Sequence, residues 1–125
     1  MPYTLTHDPE QDIGTVTFNG TISPADLLAS SADAVALQKA KGTLLYLIDS
    51  EDWDLGASVV DLYQLPTREY GRADLDRRTR IAIVRPGNAN ALEGAHFYES
   101  ACRNRGWNAR IHPDRASAVA WLKAS

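Results

Sequence analysis

Apolar residues change their spacing several times along the chain, and each change predicts an element. Tyr3 to His7 alternates, and Gly14 to Phe18 alternates again, with Val16 and Phe18 on one side and Thr15 and Thr17 on the other. Period two with a threonine side is the pattern of a half-buried strand. The polar stretch Asp8 to Asp12, which contains Pro9, joins the two as a hairpin, and Gly20 is expected to close the second strand. Ser23, Pro24 and Asp26 then make a helix start: a serine cap, proline at the first helical position and an acid in the first turn. Leu28, Ala32 and Val35 predict its buried face, and Gly42, following Lys39 and Lys41, predicts its end.

The next stretch, Thr43 to Asp54, is the one around which the chain is organised. Leu44 to Ile48 is apolar without a break, so both faces are covered and the run predicts a central strand. Asp49, Glu51, Asp52 and Asp54 follow at once, as an acidic loop at the carboxyl end of that strand, where open α/β sheets carry their sites. Leu55, Val59 and Leu62 return to helical spacing, which is expected to break at Leu65-Pro66 because a residue before proline is pushed out of the helical region. Residues 66–79 are charged and weakly periodic, a connector with at most one short helical turn.

Arg80 to Val84 predicts a second interior strand, ended by Arg85-Pro86-Gly87-Asn88. Ala91, Ala95, Tyr98 and Cys102 form one helical stripe that stops at Gly106. Trp107, Ala109 and Ile111 alternate with Asn108, Arg110 and His112, an edge strand with one wet face. Asp114 caps a last helix in which Ala118, Trp121 and Leu122 point inward. Strands alternating with helices mean parallel pairing through right-handed crossovers, with the first strand alone free to be antiparallel. The fold class is therefore α/β: one domain over residues 1–125, a mixed sheet of about five strands and about four helices.

Charge is divided along the chain. Residues 1–66 hold ten acids against two bases, residues 67–125 hold eleven bases against six acids, and ten of the thirteen bases are arginines. With a sequence pI near 5.5 and no nucleic-acid-binding motif, this reads as a dipolar surface with solvated arginines, and no nucleic acid is expected as partner. Cys102 is the one cysteine, which excludes an internal disulfide and a thiolate zinc site. No apolar segment approaches the ~20 residues of a membrane span, and the first residues lack the pattern of a signal peptide. A cytoplasmic location is expected.

Several residue groups carry candidate chemistry. The acidic loop could ligate Mg²⁺ or Ca²⁺ through oxygen, but its spacing is not that of an EF-hand; as an acid and base pair it would need unlike environments; as plain structure, Asp52 or Asp54 caps the next helix. No metal site is assigned. Ser58, near the start of a helix, is a candidate phosphoacceptor, because anions are favoured there. Backbone amides of residues 86–90, with Arg85, Asn88 and Asn90, could hold an anion on the same edge as the acids; the plain alternative is a turn with an Asn90 cap. His7, His96 and His112 lie on different elements. Cys102 reads as a buried small hydrophobe, with reactivity only if Arg103 and Arg105 lowered the pKa of an exposed thiol. The glycines at 87, 94 and 106 make no phosphate loop, and no cofactor is expected.

Ala118-Val119-Ala120-Trp121-Leu122 after Asp114, the Arg80 to Val84 strand, and Phe97-Tyr98-Glu99 running into Arg105-Gly106 resemble the SpoIIAA-like group, small bacterial proteins of the STAS and Sec14-like superfamily. The resemblance implies a βα superhelix with most helices on one face, no universal catalytic residue, and action by binding an as yet unidentified protein partner. In sigma-factor-regulating members, a serine at the start of the helix after the central strand is phosphorylated. The matching region, Asp49 to Ser58, holds Ser50 and Ser58 but not the Asp-Ser-Ser-Gly run of those members, and its Trp53, Asp54 and Gly56 look like the uncharacterised branch. Sec14-like relatives hold apolar ligands between sheet and helices, which makes Leu55, Val59, Leu62, Tyr63 and Leu65 candidates to line a lipid pocket. With most helices on one face, the threonine side of the early strands would stay open to a second copy, so a homodimer is also expected.

Overall fold

The Asp8 carboxylate accepts hydrogen bonds from the backbone N–H of Glu10 at 2.9 Å and Gln11 at 3.3 Å, and this local turn closes the first hairpin. β1 (Tyr3–Asp8) and β2 (Ile13–Ile22) run antiparallel across it, with Tyr3 opposite Phe18 and Asp8 opposite Ile13. The computed structural model describes residues 3–55 and 64–124. β3 (Leu45–Leu55), β4 (Arg80–Val84) and β5 (Asn108–His112) extend the sheet in parallel, in the order β1-β2-β3-β4-β5. The helices are α1 (Pro24–Lys41), α2, in which a π-helical turn Leu65–Glu69 leads into an α-helical turn Tyr70–Arg72, α3 (Ala89–Asn104) and α4 (Arg115–Lys123). A five-stranded mixed sheet with only its first strand antiparallel, and four helices among the described residues, is the architecture the hydrophobic pattern predicts.

Alternation along the strands divides the core into two layers. Val16, Phe18, Ile81 and Ile83 meet Leu27 and Val35 of α1, Leu65 and Tyr70 of α2, and Ala91, Ala95 and Tyr98 of α3. On the opposite face Ile13, Leu47, Ala82 and Val84 meet Ala118 and Leu122 of α4 alone. Three helices on one face follow from parallel neighbours in chain order, since each right-handed crossover returns on the same side. α1 comes close to the sheet at Gly14, where a Cβ would lie 2.8 Å from Leu37 Cδ2 and 3.1 Å from the Tyr46 ring. Its start is the expected one: Ser23 Oγ accepts from Asp26 N–H, Asp26 accepts from Ser23 N–H, and Gly42 ends the helix at φ 72°.

Four local expectations are corrected. The acidic segment Asp49 to Asp54 is strand and not loop, because β2 passes through Gly20 to Ile22 and pairs Asn19 to Ile22 with Asp52 to Leu55 beyond the end of β4. A register shift between Thr17 and Asn19 makes this possible. The inward face of α1 is Leu27, Ser30 and Val35, while Leu28 is 49% exposed and Ala32 is exposed. Ser30 can be buried there because its hydroxyl donates to the Leu27 carbonyl at 3.0 Å. Helical structure runs through Pro66, which stands at the start of the π-helical turn with Gln64 before it already in helical backbone. His112, assigned to the wet side of β5, is 7% exposed under the Trp121 ring, 5.3 Å away between centroids.

Arginines read as solvated are in part tied down. The Arg77 guanidinium lies 3.8 Å over the Trp107 ring and donates to the Arg105 carbonyl, and Arg80 lies 4.4 Å over Trp121. Flat, weakly hydrated guanidinium groups cover indole faces well.

Candidate functional site

Between the sheet and its three-helix face lies a cavity of about 90 Å³. Val16, Phe18, Ile48 and Ile83 form its floor, and Leu27 of α1, Leu65 of α2 and Ala95 of α3 contribute to its roof. The space lies where the small side chains Ser30, Ala34 and Ala95 face the sheet. At roughly 10–15 Å³ for one water, the volume suits a small molecule of several heavy atoms.

Hydroxyls in the wall are mostly turned away to protein acceptors. Ser50 Oγ donates to the Val84 carbonyl at 2.6 Å, Tyr46 Oη to the Ala34 carbonyl at 2.8 Å, and Thr79 Oγ1 to the Asp76 carbonyl at 2.6 Å. The other wall hydroxyls among the described residues are those of Ser30, bonded to the Leu27 carbonyl, of Tyr70 and Tyr98, which pair with each other, and of half-buried Ser31. Cys102, with its thiol, lies one turn beyond Tyr98 on α3. Burial raises both phenol pKa values and pushes the thiol up to about 12, so all three groups stay protonated. Cys102, fully buried and uncharged, is the small hydrophobe the helical stripe predicts.

The sequence-predicted groups are only partly assembled here. Leu65 lines the cavity; Leu55 pairs through its backbone with Ile22, and Val59, Leu62 and Tyr63 lie outside the described residues. Ser58 also lies outside them. Ser50 has no exposed surface and its hydroxyl is engaged, so a kinase reaches it only if the strand opens. On the carboxyl edge the structure does join the acidic segment to the following turn: Gly87 N–H donates to the Glu51 carbonyl at 3.2 Å. Asp49 faces Arg115 at 3.4 Å, a weak surface pair, and Glu51 is exposed; Asp52, Trp53 and Asp54 are held by backbone pairing to β2. The cap of α3 is Asn88 and not Asn90: its side-chain oxygen accepts from Asn90 N–H at 2.9 Å and Ala91 N–H at 3.2 Å. Of the amides proposed for an anion, those of Gly87 and Asn90 already have an acceptor, and Arg85 is exposed. Among the described residues no group of three or more His, Cys, Asp or Glu is placed to hold a metal.

Two assemblies escape sequence reasoning. At the opposite edge Asp12 Oδ1 accepts from the Thr43 hydroxyl at 2.7 Å and lies 2.8 Å from His7 Nε2. Both contacts lower the Asp12 pKa, the His7 contact most, and the group ties the hairpin turn to the start of β3. The other is Tyr70 against Tyr98. The spacing of Tyr98 and Cys102 marks one helix face, but Tyr70 stands in a charged connector with no periodic signal.

The described part of the chain is thus an α/β protein with a mixed five-stranded sheet and an apolar cavity beneath three helices. No protein-family model matches it, and no curated protein does. Among solved structures it is similar to an uncharacterised protein of the DUF3478 family with a SpoIIAA-like fold from Shewanella loihica PV-4: TM-score 0.60, 14% identity, covering 96% of this chain and 91% of that one. The fold of this chain is SpoIIAA-like, as its strand and helix motifs suggest. No helix among the described residues is long and apolar enough to cross a membrane.

Proposed function

We propose that this chain is a non-enzymatic binding module and that the cavity between its sheet and helices takes a small apolar molecule. One observation carries the reading: a partly open space of about 90 Å³ between sheet and helices, whose wall hydroxyls are largely committed to protein carbonyls. Empty space of that size weakens a core, so it is a cost without a ligand and a site with one. The ionisable side chains among its described lining residues, the phenols of Tyr46, Tyr70 and Tyr98, are held protonated by burial, which suits a container better than a nucleophile or a base.

A regulatory role through a protein partner, which the family resemblance implies, is the second reading. Leu28 on α1, 49% exposed, and Phe97 on α3, 36% exposed, favour it, as large apolar side chains with accessible surface. The exposed Thr4 and Thr6 of β1 lie on the α4 side of the sheet, beyond the strands β3 to β5 that α4 packs against, so a second copy of the chain is one such partner.

Native mass spectrometry of gently purified protein, with organic extraction of the same sample, tests both readings. The expected result is a small apolar molecule in the extract and a matching mass increment on the protein. Bare polypeptide mass with an empty extract counts against the cavity reading, and a monomer at high concentration counts against self-association.

A further inference from the structure

The hydrogen-bond count in the cavity wall does not close. Tyr70 and Tyr98 bring two O–H donors, and one hydrogen bond joins them, in which either hydroxyl can donate. That bond consumes one donor, so the O–H of the accepting tyrosine remains over. Tyr70 is 7% exposed and Tyr98 5% exposed, and both line the cavity. An acceptor placed in the cavity lets both donors bond at once, which the pair alone cannot do.

Resting on the apolar-ligand reading, we infer that the cavity's ligand is a neutral apolar molecule bearing one acceptor oxygen, such as a ketone or ester carbonyl, seated on the Tyr70–Tyr98 pair. Neutrality follows from the wall: no Lys, Arg or His is among its described residues, so an ionised carboxylate would be buried unpaired at high cost. A single acceptor follows from the other hydroxyls. Ser30, Ser50, Tyr46 and Thr79 already donate to backbone carbonyls, and Ser31, the remaining wall hydroxyl, is half-buried.

Acetophenone and ethylbenzene are close in shape and differ in the carbonyl oxygen, so they isolate the proposed contact. Each is titrated into the full chain and followed by amide NMR shifts. Acetophenone is expected to bind about tenfold more tightly, the worth of one buried hydrogen bond. Each single Tyr→Phe variant leaves one O–H donor in place, so it is the double variant Tyr70→Phe/Tyr98→Phe that should bring acetophenone down to the affinity of ethylbenzene, whose binding shows that the variant is folded; Ser31→Ala should keep the preference. Equal binding of the two probes by the wild-type chain overturns the acceptor inference and leaves the cavity reading standing, as does a preference that survives both tyrosine substitutions. Binding of neither probe overturns the cavity reading itself.

Discussion

His112 ends β5 with its ring against Trp121 and its Nε2 buried without a partner. Burial, and then the charge of Arg110, lower its pKa below the ordinary value, against a smaller opposite pull from Glu99 and Asp114. The folded pKa therefore lies below the unfolded one. As pH falls through about 6.5 the unfolded chain takes up the proton first, so the stability tied to neutral His112 is present above that value and is lost below it. Thermal unfolding at pH 7.5 and 5.5 should show a lower Tm at the acid end, and His112→Phe, which keeps a ring against Trp121, should shrink the difference. An undiminished difference in the variant would assign the pH dependence to other groups. At this scale the sequence was misleading for a physical reason: strict alternation puts His112 on the wet side, but α4 returns across that side and covers the last residue of the strand.

At the scale of elements, Gln38 shows why the face of α1 was misread. The stripe Leu28, Ala32, Val35 is the most apolar choice, yet the helix turns Leu27, Ser30, Val35 and, half-buried, Gln38 toward the sheet. Gln38 Nε2 donates to the Thr43 carbonyl at 3.1 Å and to Thr79 Oγ1 at 2.8 Å, and its Oε1 accepts from Asp76 N–H at 2.8 Å. One side chain thus joins α1, the entry to β3 and the approach to β4. Gln38→Ala leaves three polar partners short and should lower the urea midpoint by about 1–3 kcal/mol of stability at an unchanged m value. Leu28→Ala, at an exposed position, should stay within about 0.5 kcal/mol of the wild type. The opposite order of effects would restore the apolar stripe as the packed face. Caps and glycine stops were legible because they act within one turn of chain. The length of β3 was not, because its second half depends on a partner strand more than 30 residues earlier that passes through a glycine and a bulge.

For the molecule as a whole, the cavity sets stability against binding. A core of this size has little room to give, and well-packed interiors contain few voids larger than a water. If the space is kept for a ligand, filling it should make the protein more stable and less able to bind. Ala95, 1% exposed on α3 and in the cavity wall, is the place to test this. Ala95→Val adds two methyl groups beside a void, in a helix where valine costs only a few tenths of a kcal/mol in propensity. The expected outcome is a gain of about 0.5–2 kcal/mol in thermal or urea unfolding, together with loss of acetophenone binding. A destabilised variant that still binds the probe would mean that the space does not extend to Ala95. Loss of binding without a gain in stability would point to blocked entry, with the wild-type void already relaxed around its walls. Nothing in the hydrophobic pattern announces this trade, since Ser30, Ala34 and Ala95 each read as ordinary helix residues. Only the facing of α1 and α3 over one stretch of sheet turns three small side chains into a hole.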